Sequence, residues 1–163
     1  MKKILCILVM LLLLAGCEKQ KTKEIEIPDF RGFKTDVYTE INDTEIKGTA
    51  TFTELDGLVL TLMSPESLKG MGIICNDGEC KTSLHTLSFS VPYGNLPPDS
   101  LPVSLMACAE NAKTAIYEKG YYKFTTSGYT YQLYVDENGF TKLLMNENEI
   151  LRFENFQYIT GQT

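Results

Sequence analysis

What most restricts this chain is a hydrophobic pattern of period two, repeated between closely spaced turn signals. Phe33, Thr35, Val37, Thr39 and Ile41 alternate with Lys34, Asp36, Tyr38 and Glu40. Successive side chains of a strand point to opposite faces, so this spacing predicts a strand with one face on a core and the other in water. Asn42-Asp43 is a turn signal, after which Ile46, Gly48, Ala50 and Phe52 again occupy alternate positions. Glu54-Leu55-Asp56-Gly57 turns the chain once more into the apolar strand 58–63. Helical period is absent throughout. The segment predicts an antiparallel meander, in which Gly48 and Ala50 are small enough to let the sheet curve.

The pattern continues through 72–91. Between the strands, Ser64 is placed to cap, Pro65 suits a first helical position, Glu66 favours the positive helix end and Gly70 stops the turn, which predicts a single short helical turn. Asn76-Asp77-Gly78-Glu79 then separates 72–75 from 80–84. Asp-Gly is favoured at the centre of a two-residue hairpin, which sets Cys75 opposite Cys80 as a non-hydrogen-bonded pair. Opposed Cα atoms are then about 4.5 Å apart, within disulfide reach, so a Cys75–Cys80 bridge is expected under oxidising conditions, with Cys108 free. Leu87, Phe89 and Val91 alternate before a loop, 92–102, that holds four prolines.

Only one long helix is expected. It starts at Asp99 or Ser100 and runs to Lys119, with Leu101, Leu105, Met106, Ala109, Ala112 and Ile116 at helical spacing. Glu110, Lys113 and Glu118 are expected in water, and Gly120 stops the helix. Strands return at 121–126, 129–135, 141–145 and 150–158, separated by Ser127-Gly128, Glu137-Asn138-Gly139 and Asn146-Glu147-Asn148.

Ahead of this domain lie Lys2 and Lys3, then an uncharged apolar run over 4–16. A membrane-spanning helix needs roughly 20 residues, so the run fits the hydrophobic part of a secretory signal peptide instead. Its end, Leu14-Ala15-Gly16-Cys17, resembles the lipobox of bacterial lipoproteins. That resemblance implies cleavage before Cys17 and attachment of fatty acyl groups such as palmitate to it. Stable anchoring takes more than one such chain. The expected organisation is a signal peptide at 1–16, a charged lipidated tether at 17–30 and one domain at 31–163. The expected location is the outer side of the cell membrane. Loss of Lys2 and Lys3 takes the net charge from −6 to −8. Such an acidic exterior argues against nucleic acid and against direct binding to anionic head groups. A monomer is expected.

Catalytic chemistry finds little to work with. His85 is the single histidine and has neither a glycine elbow nor an acidic partner in sequence range; a Cys108–His85 dyad has no supporting signature. Cys75, Cys80 and His85 have a spacing that suits a hairpin better than a metal site. Asp136-Glu137-Asn138-Gly139 lacks the distal glutamate of a calcium loop and reads as a β-turn. Tyr117, Tyr121, Tyr122, Tyr129, Tyr131 and Tyr134 would suit a stacking platform, but aromatic residues are enriched in strands in any case. The expectation is no enzyme, no cofactor and no metal.

With its lipobox, meander, Ser-Pro-Glu-Ser-Leu-Lys-Gly-Met after an apolar strand, Gly-containing hairpin, lone helix and terminal strands, the chain resembles the LolA/LolB-like lipoprotein scaffold over roughly 33–158. The resemblance implies an α+β, mostly β fold: a curved antiparallel sheet, an incomplete barrel, with one main helix across its concave face. The helix that usually precedes the first strand is replaced here by the charged tether. The implied function is to shelter an acyl chain, lipid or other apolar ligand against Leu101, Leu105, Met106, Ala109 and Ile116. The alternative is a structural or protein-interaction lipoprotein of the envelope with a filled core.

Overall fold

A computed structural model describes residues 25–27 and 31–160; Cys17, the signal segment and most of the tether lie outside the described residues. Eleven strands follow one another: β1 (Gly32–Ile41), β2 (Thr44–Thr53), β3 (Gly57–Ser64), β4 (Gly72–Asn76), β5 (Glu79–Leu84), β6 (Leu87–Pro92), β7 (Ile116–Glu118), β8 (Tyr121–Thr126), β9 (Tyr129–Asp136), β10 (Gly139–Met145) and β11 (Asn148–Ile159). They form one antiparallel sheet in the order β6-β5-β4-β3-β2-β1-β11-β10-β9-β8-β7. The sheet is curved and does not close, so the fold is mostly β with an incomplete barrel.

Each neighbouring pair is a sequence-adjacent hairpin except β1–β11, where the first and last strands join the two halves. The turns are made where left-handed backbone is tolerated. Asn42-Asp43, Asp77-Gly78 and Ser127-Gly128 all have positive φ, as tight hairpins require. The period-two pattern fills one face. Phe33, Thr35 and Val37 of β1, Ala50 and Phe52 of β2, and Leu58, Leu60 and Leu62 of β3 are buried, as are Leu133, Phe140, Leu143, Leu151 and Phe153 from the other half. At the far end of β1 the alternation no longer buries anything, and Ile41 is exposed. Near the β1–β11 seam the rings of Phe33, Phe140 and Phe156 pack together, with Phe140 and Phe156 centroids 4.4 Å apart.

The chain leaves the sheet at β6, one free edge, and re-enters at β7, the other. The crossing carries helix α1 (Leu101–Asn111), followed by a 3-10 turn, Ala112–Thr114. This shortens the expected helix by eight residues. Ile116 and Tyr117 instead form β7, with Tyr117 opposite Tyr122, and Lys119-Gly120 is the hairpin turn between β7 and β8. The glycine that resembled a helix stop is a strand turn. β-Branched and aromatic residues prefer a pleated surface when one is available for pairing.

Two smaller expectations also change. Pro65 precedes the short 3-10 turn Glu66–Leu68 as its cap rather than entering it, and Ser64 ends β3. The stretch expected as a free tether is partly docked: Ile27 packs against the core, and the Tyr122 hydroxyl donates to the carbonyl of Ile25. Among the described residues, no helix is long and apolar enough to cross a membrane.

Candidate functional site

The site to consider is the covered side of the half-barrel, where α1 lies on the sheet. Helix α1 reads Leu-Pro-Val-Ser-Leu-Met-Ala-Cys-Ala-Glu-Asn, with a single charge. A helix apolar nearly all round is buried nearly all round. Leu101, Leu105 and Ala109 are buried, as expected for the inward face; Leu105 has no exposed surface. Met106 is half-buried at the margin of the core. Ile116 does not belong to this face: it is 75% exposed on β7, because the helix ends before it.

The sequence pattern missed Pro102, Ser104, Ala107 and Cys108, all buried. Small side chains at 104, 107 and 108 let the helix lie close to its surroundings on more than one side. The signal for this was the absence of charge between Ser100 and Ala109, not a narrow apolar stripe.

The helix is held down by the loop that precedes it. The Tyr131 hydroxyl donates to the carbonyl of Pro98 at 3.3 Å, and the Tyr93 hydroxyl to that of Val103 at 3.5 Å. At the other end, Asn111 Nδ2 donates to the carbonyl of Ala107 at 2.9 Å, and Lys113 pairs with Glu54 of the β2–β3 turn at 3.0 Å. Ser100 takes the N-cap position without a side-chain capping bond, and the hydroxyls of Ser100 and Ser104 are buried with no partner among the described residues.

Two clefts flank the helix. One, of about 280 Å³, lies between Met106 and Glu110 of α1, Tyr93, Phe52 and the Cys75–Cys80 hairpin. The other, of about 170 Å³, lies between Val103, Ala107, Glu110, Tyr93, Leu96 and Tyr131. Tyr93 and Glu110 line both. Burial pushes the Tyr93 phenol up to about 12, with the nearby Glu110 carboxylate adding to the effect. Partial desolvation by the cleft walls raises the Glu110 carboxyl above its ordinary value, although the residue as a whole stays exposed. The larger cleft stays below the roughly 300–1,000 Å³ of small-molecule sites. A 420 Å³ hollow at the rim, beside Arg31, Leu55 and Ile159, lies away from α1.

Cys75 and Cys80 face one another across β4 and β5 and are joined by a disulfide, with Cα atoms 4.1 Å apart. Both sulfurs are in the core, and Cys108 is a buried free thiol. His85 sits exposed in the β5–β6 turn, whereas Cys108 has no exposed surface and burial pushes its thiol far up. A thiol so buried and protonated is a poor nucleophile. Among the described residues no group of three potential ligands gathers to hold a metal. Asp136 spends its Oδ1 accepting from the backbone N–H groups of Asn138 and Gly139, at 2.7 and 3.2 Å, which makes the turn expected at 136–139. The tyrosines are scattered: Tyr122 and Tyr131 are buried, and Tyr121 packs on Tyr134 with centroids 5.4 Å apart.

No protein-family model matches the chain, and no curated protein matches it. Among solved structures it is similar to the crystal structure of an uncharacterized conserved protein from Thermus thermophilus, at 12% identity over 80% of each chain with a TM-score of 0.47. That degree of likeness carries no argument about function.

Proposed function

We propose that this is a lipid-anchored, non-enzymatic lipoprotein of the cell envelope that acts by protein interaction, its half-barrel filled by its own side chains. The observation that carries this reading is the burial of Leu105 and Cys108, each 0% exposed, where a ligand would lie between helix and sheet. Carriage of an acyl chain needs that space empty or able to empty. A second reading, carriage after the helix lifts, draws on the two clefts beside α1 and on the unpaired hydroxyls of Ser100 and Ser104. Groups left unsatisfied in a buried contact cost about 1–3 kcal/mol each, which would lower the energy needed to move the helix.

Organic extraction of the protein purified from its own membranes, followed by mass spectrometry, separates the two. The interaction reading expects no non-covalent lipid at stoichiometric amount and no uptake of an apolar fluorescent probe. One lipid per chain establishes carriage instead. For the anchor, Cys17→Ser is expected to lose all metabolic label from a radioactive fatty acid; equal label in the variant removes the lipoprotein assignment.

A further inference from the structure

Among the described residues, the two edges of the sheet that no further strand covers are treated very differently. Edge strands present unpaired backbone groups, and natural proteins blunt them by shortness or charge. The β7 edge is three residues long and ends in Glu118, which pairs with Lys123 at 3.2 Å. The β6 edge is twice as long, and residues 82–98 contain no Asp, Glu, Lys or Arg, the longest such run in the chain. On it Leu87 and Phe89 are 72% and 59% exposed.

The register shows which backbone groups are free. β5 and β6 pair Leu84 with Leu87, Thr82 with Phe89 and Cys80 with Val91, joined by the two-residue turn His85-Thr86. In such a hairpin the pair flanking the turn is hydrogen-bonded, and bonded pairs then alternate along the ladder. The Tyr93 N–H, which donates to the carbonyl of Gly78 at 2.8 Å, continues the same alternation. Leu87, Phe89 and Val91 therefore bond to β5, and the N–H and C=O groups of Ser88 and Ser90 face outward.

We infer that the β6 edge pairs antiparallel with the β6 edge of a second copy of this chain, about a two-fold axis through Phe89. The sequence Leu87-Ser88-Phe89-Ser90-Val91 has the same character read in either direction. Centred on Phe89, the pairing places Ser88 opposite Ser90 of the second copy, and the outward groups of both serines exchange bonds on each side of the axis. Phe89 meets Phe89 of the second copy in a non-hydrogen-bonded pair, where cross-strand side chains come closest and aromatic pairs stabilise. The rows across the junction follow from the β5–β6 register. One runs Thr82, Phe89, Phe89, Thr82. The next runs Leu84, Leu87, Val91, Cys80. The outer one runs Lys81, Ser90, Ser88, Ser83. Apolar residues meet on the face where Leu87 and Phe89 are now exposed, and no row opposes like charges. For a chain of net charge −6, this uncharged edge is where two copies meet at least electrostatic cost. The inference does not depend on whether the domain carries a ligand.

Single cysteines introduced into the full chain, followed by mild oxidation of the membranes of expressing cells, test both contact and register against the unmodified chain. Phe89→Cys is expected to give a band of twice the mass on a non-reducing gel. Leu87→Cys alone is expected to give none, because the two copies of residue 87 are four positions apart, and to give the band when co-expressed with Val91→Cys. Ser90→Pro in the Phe89→Cys background is expected to abolish the band without changing the melting temperature, because the Ser90 N–H makes no bond within its own sheet. No dimer band with Phe89→Cys, equal bands from Leu87→Cys and Phe89→Cys, or a cross-linked product of another mass overturns the proposal. The last outcome would mean that a strand of a different protein sits on this edge. If Ser90→Pro unfolds the domain, the cysteine pattern alone decides.

Discussion

Single residues show how closely the β1–β11 seam is fitted. Gly139 opens β10 with φ of +133°, and a Cβ placed there would run into the ring of Phe156. That ring belongs to the seam cluster and cannot move without disturbing Phe33 and Phe140. Gly139→Ala is therefore expected to cost about 1–3 kcal/mol, from the strained backbone and from overpacking together, read as a fall in the urea midpoint. An unchanged midpoint would show that Phe156 yields freely. Glu110 makes a different prediction. Its carboxyl is raised in the folded state by burial, so the stability tied to it is fully present below the ordinary glutamate value of about 4.3 and is lost as pH rises through the raised folded value. Thermal melts of native protein and Glu110→Gln across that window are expected to diverge as pH rises, with the glutamine variant the flatter. Parallel curves would mean that Glu110 is in water on both sides of folding. Glu110 is exposed, as its helical spacing placed it; the approach of Tyr93 from the preceding loop makes it a wall of two clefts as well.

At the scale of elements, helix α1 separates the two halves of its expected inward face. Leu105 has no exposed surface and touches the core, whereas Ile116 is 75% exposed on β7. Leu105→Asp buries an unpaired carboxylate and is expected to cost several kcal/mol, enough to unfold a domain of ordinary stability. Ile116→Asp is expected to stay within about 0.5 kcal/mol of the native protein. Circular dichroism melts of the two variants check this, and comparable losses would mean that the helix continues through residue 116. The strands other than β7 were legible because period two survives in their hairpins. The helix was legible in position but not in length. Residues 112–118 fit a helix by spacing and a strand by composition, and local sequence cannot rank the two. The decision came from β8, whose Tyr122 offers a partner to Tyr117. The Cys75–Cys80 bridge was legible because Asp77-Gly78 sets the register two positions away.

At the scale of the whole molecule, the pairing of β1 with β11 makes one sheet out of two local meanders. It is the contact furthest apart in sequence, it includes a bulge between Lys34 and Asp36, and the Thr35 hydroxyl donates across it to the carbonyl of Glu154 at 2.9 Å. Removing residues 148–160 takes away the strand that both β1 and β10 pair with and leaves Phe33 and Phe140 without Phe153 and Phe156. The truncated chain is expected to show no cooperative unfolding transition, because neither remaining half can bury its apolar face alone. A cooperative melt of the truncated chain would show that one meander folds by itself. Outside residues 112–120, the sequence by itself determined which residues are strands, where the chain turns, which face of most strands is apolar, and that Cys75 and Cys80 meet. All of these depend on neighbours a few residues apart. Tertiary structure alone decided that β1 and β11 join the halves, that the helix gives way to β7, that Leu105 and Cys108 of the helix are wholly buried, and that, among the described residues, β6 is left as an uncharged edge. These depend on which surfaces meet after the chain has crossed from one edge of the sheet to the other, and no local pattern of residues encodes that meeting.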